Sequence, residues 1–116
     1  MDALNQSLYS LSIAVEGIKY CEEAAFFILA IETEEHGAYK VERRFSEIEA
    51  LHLELCTRIP CMHYLPPKSL SKLSNQAIEK RKCDLDLYFK AMANRSDIKR
   101  TKEFRVFLSI GVKINP

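Results

Sequence analysis

Two adjacent guanidinium groups stand in the stretch VERRFSEIEALH, residues 41–52, where Arg43 and Arg44 follow an apolar-rich segment and precede a helical pattern. A guanidinium forks onto two oxygens of a phosphate or carboxylate, so the chemistry offered here is anion binding. Paired arginines at a strand end also have a plainer use, because charge on an edge discourages pairing with another chain's strand. A third cation bears on the choice. Arg81 falls inside an apolar helical stripe, three residues after Ile78 and four before Leu85. An Arg aimed inward requires an anion, since a buried charge without a partner is expensive. That anion is either an internal carboxylate or a ligand.

The elements that position these residues follow from periodicity. Residues 8–16 alternate, with Leu11, Ile13 and Val15 on one face, and residues 24–34 are rich in aromatic and branched side chains before a turn at His36-Gly37. Residues 38–45 return with Tyr39, Val41 and Arg43 on one side. Three strands with short connections predict an antiparallel meander. At Ser46 the period changes: Ser46 and Glu49 fit the S-x-x-E capping box, and Ile48, Leu51, Leu55 and Ile59 follow at helical spacing, predicting a helix over 46–58. Pro60, Pro66 and Pro67 then predict an irregular segment up to a second long helix from Ser74 or Asn75 to about Asn94, with Ile78, Leu85, Phe89 and Met92 as its buried stripe. A further helix from Ser96 is capped by Ser96 or Asp97 and packs through Ile98, Phe104, Phe107 and Leu108. The fold class is α+β: a three-stranded antiparallel meander packed against a helical subdomain, with a proline-containing loop between the first two main helices.

Composition sets the outer limits. A length of 116 residues, 47% hydrophobic and 28% charged, predicts one domain, residues 1–116, with a core large enough to need no staples. An end at Pro116 fits excision from a longer protein. Met1 is followed by Asp2 and polar residues, and the longest apolar run, Ala24 to Ile31, is too short to span a bilayer, so a soluble cytosolic chain is expected. Cys21, Cys56, Cys61 and Cys83 are expected to be reduced and mostly buried; no paired zinc motif joins them to His52 or His63, and no metal or cofactor is expected. The net charge of +1 hides an asymmetry: residues 1–36 carry one basic residue against seven acidic, residues 37–82 nine against five, and residues 83–116 seven against four. Positive charge therefore gathers around the arginine pair and beyond it.

Arg43-Arg44-Phe45-Ser46, then Leu65-Pro66-Pro67-Lys68, then the RKCDLDLY run from Arg81 to Tyr88 come in an order and spacing that resemble a phox-homology (PX) domain, as in sorting nexins and related endosomal proteins. The resemblance covers about residues 8–110. It implies a module that binds a phosphoinositide, most often phosphatidylinositol 3-phosphate, at the cytosolic face of endosomal membranes. By position, Arg44 would hold the 3-phosphate, Phe45 would lie against the inositol ring, Lys68 would reach the 1-phosphate, and Arg81 would bond the 4- and 5-hydroxyls. Arg43 would support the site without touching ligand. Phe45 stands where the family often has Tyr, keeping the ring face and losing a hydroxyl, and the loop before Lys68 is shorter than in many members.

Membrane residence usually needs a second signal beside a headgroup pocket. Leu70 and Leu73, with Lys72 between them, offer an insertion loop, though a loop Leu also serves to cap a helix core. An alternative use of the same fold is a protein-interaction scaffold with weak or different lipid preference. An RNA-binding reading is disfavoured because Phe26 and Phe27 have no basic sequence neighbours and no Arg-Gly-aromatic run exists. Catalysis is not expected: three glycines supply no phosphate loop, and no motif orients a Cys or His.

Overall fold

Alternation along residues 11–44 is what bends this part of the chain into a sheet with one dry face. The computed structural model describes residues 10–22, 24–65 and 75–110. Strands β1 (Leu11–Cys21), β2 (Ala24–Thr33) and β3 (Gly37–Arg44) form an antiparallel sheet in the order β1-β2-β3. Ile13, Val15, Phe27, Leu29 and Ile31 are buried on its inner face. The β2–β3 turn closes where Gly37 takes φ +71°, a left-handed conformation that favours glycine, while the Thr33 hydroxyl accepts the His36 N–H at 2.9 Å. β1 runs on to Cys21, beyond the expected end at residue 16. It does so through a bulge between Val15 and Gly17 that absorbs a register shift.

Among the described residues four helices pack on the dry side: α1 (Phe45–Cys56), α2 (Asn75–Ala93), α3 (Ser96–Lys99) and α4 (Lys102–Phe107). Ile48, Leu51 and Leu55 of α1 and Leu85, Phe89 and Met92 of α2 join the strand residues in one core with Ile98, Phe104 and Leu108. The long helix matches its expected span and stripe, with Ile78 buried as well.

Three expectations are corrected. The capping box is not Ser46 with Glu49; the helix begins one residue earlier, with Arg44 as N-cap and the Glu47 carboxylate accepting the Arg44 N–H at 2.7 Å. An Arg side chain has only donors, so the reciprocal half of a box is lacking. The register is set by Phe45, which as the first helical residue is 8% exposed. Next, the single helix expected from Ser96 is two, because the Thr101 hydroxyl donates to the Ile98 carbonyl at 2.8 Å and accepts the Phe104 N–H at 3.2 Å, ending one helix and starting another. Finally, all four cysteines are free but exposed. Cys56 falls to the side of the apolar stripe of α1, Cys83 nearly opposite that of α2, Cys21 ends a strand, and Cys61 sits at φ +56° in the segment after α1.

The bulge in β1 is where α2 locks onto the sheet. Val15 N–H donates to Asp86 Oδ1 at 2.8 Å, and Lys90 Nζ reaches the same oxygen at 2.6 Å. Partial burial acts to raise the Asp86 pKa, but the hydrogen bonds from Lys90 and Val15 and the charges of Lys90 and Lys82 outweigh it and hold the carboxyl below its ordinary value. A depressed folded pKa gives stability that is present above the unfolded value, about 3.9, and is lost as pH falls through the lower folded one. Asp86→Ala should therefore cost about 1–3 kcal/mol at neutral pH by stranding the Val15 N–H. Urea unfolding across pH checks this: the gap between wild type and Asp86→Ala narrows on the acid side of pH 4. A gap independent of pH would contradict the assignment.

Candidate anion-binding site

Alternation in β3 sends the two arginines to opposite faces. Arg43 shares the inner face with Tyr39 and Val41, and its Nε and Nη2 donate to the Phe107 carbonyl at 3.0 and 2.7 Å, with Nη2 also 3.4 Å from Ser109 Oγ. Its guanidinium lies 5.3 Å from the centre of the Phe107 ring, which in turn stacks on Phe89. Tyr39 adds a hydrogen bond from its hydroxyl to the Leu108 carbonyl at 2.7 Å. Together they satisfy carbonyl groups at the C-terminal end of α4 that its own backbone cannot pair. Burial raises the Tyr39 pKa, and the Arg43 charge partly offsets that.

Arg44 is exposed on the outer face at the mouth of α1. Its backbone is held by Glu47, while its guanidinium lies 5.9 Å from the Phe26 ring centre. Among the described residues no carboxylate forms an ion pair with it. α1 starts at the next residue, so the partial positive charge of its N-terminus lies beside Arg44 in the chain.

Phe45 turns its ring inward, and Arg81 of α2 covers it, with the guanidinium carbon 4.3 Å from the ring centre. That contact holds a cation over an aromatic face, worth about 1 kcal/mol or more once partly dry. Burial lowers the Arg81 pKa, opposed by the charges of Asp84 and Glu49, yet a guanidinium that ordinarily titrates far above neutrality stays cationic at neutral pH. Arg81 thus lies on the Phe45 ring, whereas the Arg44 guanidinium lies over Phe26 on the other face of the sheet. Lys68, Leu70, Lys72 and Leu73 lie outside the described residues.

Sequence reasoning passed over Phe26. Its lack of basic sequence neighbours gave no hint, but counting back from the 34–36 turn pairs residue 26 with residue 44, as the sheet register has it. A concavity between α1 and α4 is bordered by Glu47, Glu54, Lys102 and Glu103 around Val106 and Phe107. Its three carboxylates outnumber the one cation, Lys102, which disfavours an anion there.

The family model of the PX domain matches residues 31–110. The chain belongs to the PX-domain family. A designed CISK-PX domain solved by X-ray crystallography is similar at 25% identity, with a TM-score of 0.77, covering 84% of this chain and 97% of that one. The mouse SNX19 PX domain is similar in fold at 18% identity, with a TM-score of 0.65, covering 88% and 98%. No curated protein sequence matches. PX domains are in general non-catalytic modules that bind phosphoinositides and bring proteins to membranes peripherally. No helix among the described residues is long and apolar enough to cross a bilayer.

The contrast between the arginines can be measured. Arg43→Ala should lower unfolding stability by about 1.5–3 kcal/mol, because a charge-assisted bond to a carbonyl is lost. Arg44→Ala should stay within about 0.5 kcal/mol of the parent. Denaturant titration of both variants checks the order, and a larger loss for Arg44→Ala would contradict it.

Proposed function

We propose that this PX domain recognises phosphatidylinositol 3-phosphate and serves as a peripheral targeting module on the cytosolic face of endosomal membranes. The observation that carries the reading is Arg44: an exposed guanidinium at the N-cap of a helix, with no carboxylate in ion pairing with its side chain among the described residues. Arg44 takes the 3-phosphate by two parallel N–H bonds, while Lys68 takes the 1-phosphate as a compact point charge. Arg81 bonds the 4- and 5-hydroxyls, and Arg43 supports the site by anchoring β3 to the end of α4. Phe45 lies against the inositol ring through whatever edge its stacking with Arg81 leaves open. The sulphate ion bound in the mouse SNX19 PX domain is an oxyanion held on the same fold.

Leu70 and Leu73 enter the bilayer beside the pocket, with Lys72 attracted to anionic lipid. A soluble headgroup reports the pocket alone, whereas a liposome reports pocket and loop together. Arg44→Ala should abolish the preference for phosphatidylinositol 3-phosphate liposomes over those with unphosphorylated phosphatidylinositol and should weaken soluble inositol 1,3-bisphosphate in parallel. Leu70→Ala with Leu73→Ala should leave the soluble headgroup nearly unaffected and weaken liposome binding by about tenfold or more, the scale of about 1.4 kcal/mol of apolar transfer. Sedimentation and calorimetry, with circular dichroism to confirm folding, make the comparison. Equal liposome binding by wild type and Arg44→Ala would overturn the headgroup assignment; parallel losses for the double Leu variant would overturn insertion.

A further inference from the structure

Helical spacing puts residues 47, 50, 51 and 54 on one side of α1, and that side faces α4 across a groove. The floor is apolar, built from Ala50 and Leu51 of α1 and Val106 and Phe107 of α4. Val106 leaves 53% of its surface exposed there. Phe107 is fixed without any occupant, because its ring stacks on Phe89 and its carbonyl accepts two bonds from Arg43. A floor held in place beforehand costs a partner little ordering on binding.

The charges around this floor are sorted by wall. On the α4 side Glu103 is 3.0 Å from Arg58 and is neutralised within the chain, which leaves Lys102 as the cation of that wall. On the α1 side the Glu47 carboxylate accepts a backbone N–H, that of Arg44, and among the described residues neither Glu47 nor Glu54 is in an ion pair. These two carboxylates are seven residues apart, about 10.5 Å along the helix axis, with Ala50 and Leu51 between them. An occupant therefore needs cations on its α1 side and an apolar group in the middle. The acidic α1 wall repels anionic lipid. Every lining residue belongs to a helix, so no strand edge offers backbone groups to an extended peptide; a helix pairs its own backbone and needs only side-chain contacts.

We propose that this groove docks an amphipathic helix of another protein, one that carries two basic residues seven positions apart with a large apolar residue between them. The two cations meet Glu47 and Glu54, and the apolar side chain rests on Leu51, Val106 and Phe107. The spacing matches because positions seven apart on the partner helix are also about 10.5 Å apart, and packed helices commonly cross at about 20°. A second copy of this chain does not fit the pattern: neither of its exposed helical leucines, Leu53 and Leu87, lies between basic residues seven apart. Arg44, Phe45 and Arg81 are not among the lining residues, so the docking stands apart from the lipid reading.

The probe is an end-capped Ala/Gln helical peptide with Lys at i and i+7 and Leu at i+3 and i+4, titrated into the full chain and followed by nitrogen-15 NMR. The expected result is saturable shifts in the amides of Ala50, Leu51, Val106 and Phe107. Replacing both peptide lysines by Glu should raise Kd by about tenfold. Glu54→Lys should weaken the Lys peptide and tighten one with Glu at the facing position, an exchange of preference that a general loss of structure does not produce. Val106→Ser, at an exposed position, should raise Kd by about fivefold with the fold retained by circular dichroism. No saturable shift at these amides up to millimolar peptide, or equal affinity for the Lys and Glu peptides, would overturn the docking site. The same amides shifting without peptide, either as protein concentration rises or on addition of phosphatidylserine vesicles, would assign the groove to a second copy or to a membrane and overturn the proposed partner.

Discussion

Everything near the site depends on where the chain switches from period two to period 3.6. The switch falls between Arg44 and Phe45, fixed by the bond from the Arg44 N–H to the Glu47 carboxylate and by burial of the Phe45 ring. One residue of slippage would exchange the faces of the two arginines. With the switch where it is, Arg43 goes inward to close the end of α4, and Arg44 goes outward to the mouth of α1. Two neighbouring residues of one type thus acquire different duties: one holds elements together, the other presents charge.

The same aromatic residue links this junction to the long helix. Phe45 gives Arg81 a face to lie on, and the bond between Val15 and Asp86 sets the height of α2 against the sheet. Arg81 is five residues from Asp86, under two turns, so the clamp that fixes one also limits where the other sits. Carboxylates of Glu47, Glu54 and Glu103 border the concavity between α1 and α4 together with Lys102, and Glu103 is paired with Arg58.

How much of this was legible in the sequence depended on whether the signal was local. Strong periodicity in Ile78, Leu85, Phe89 and Met92 gave the long helix and its buried stripe, and alternation gave the meander. The helix start was misread because Ser46-x-x-Glu49 satisfies a local pattern, while the competing demand, burial of Phe45, is tertiary. The break at Thr101 escaped for a related reason: Ile98, Phe104 and Leu108 keep apolar spacing across it, and only the Thr hydroxyl's two bonds reveal it. Cysteine burial was misjudged because a residue type's average tendency says nothing about stripe position. Of the candidate site, the arginines were visible as residues, but which faced inward followed from strand alternation, and the Phe26–Arg44 contact followed from register.

The most direct test of the account is a nitrogen-15 NMR titration with soluble inositol 1,3-bisphosphate, following backbone amides together with Arg Nε resonances. The account predicts saturable shifts in the amides of Arg44, Phe45 and Ser46 and in the Nε groups of Arg44 and Arg81, with the Arg43 Nε, bonded to Phe107, nearly unmoved. Saturable shifts confined to other surfaces, with Arg44 and the first turn of α1 undisturbed, would contradict it.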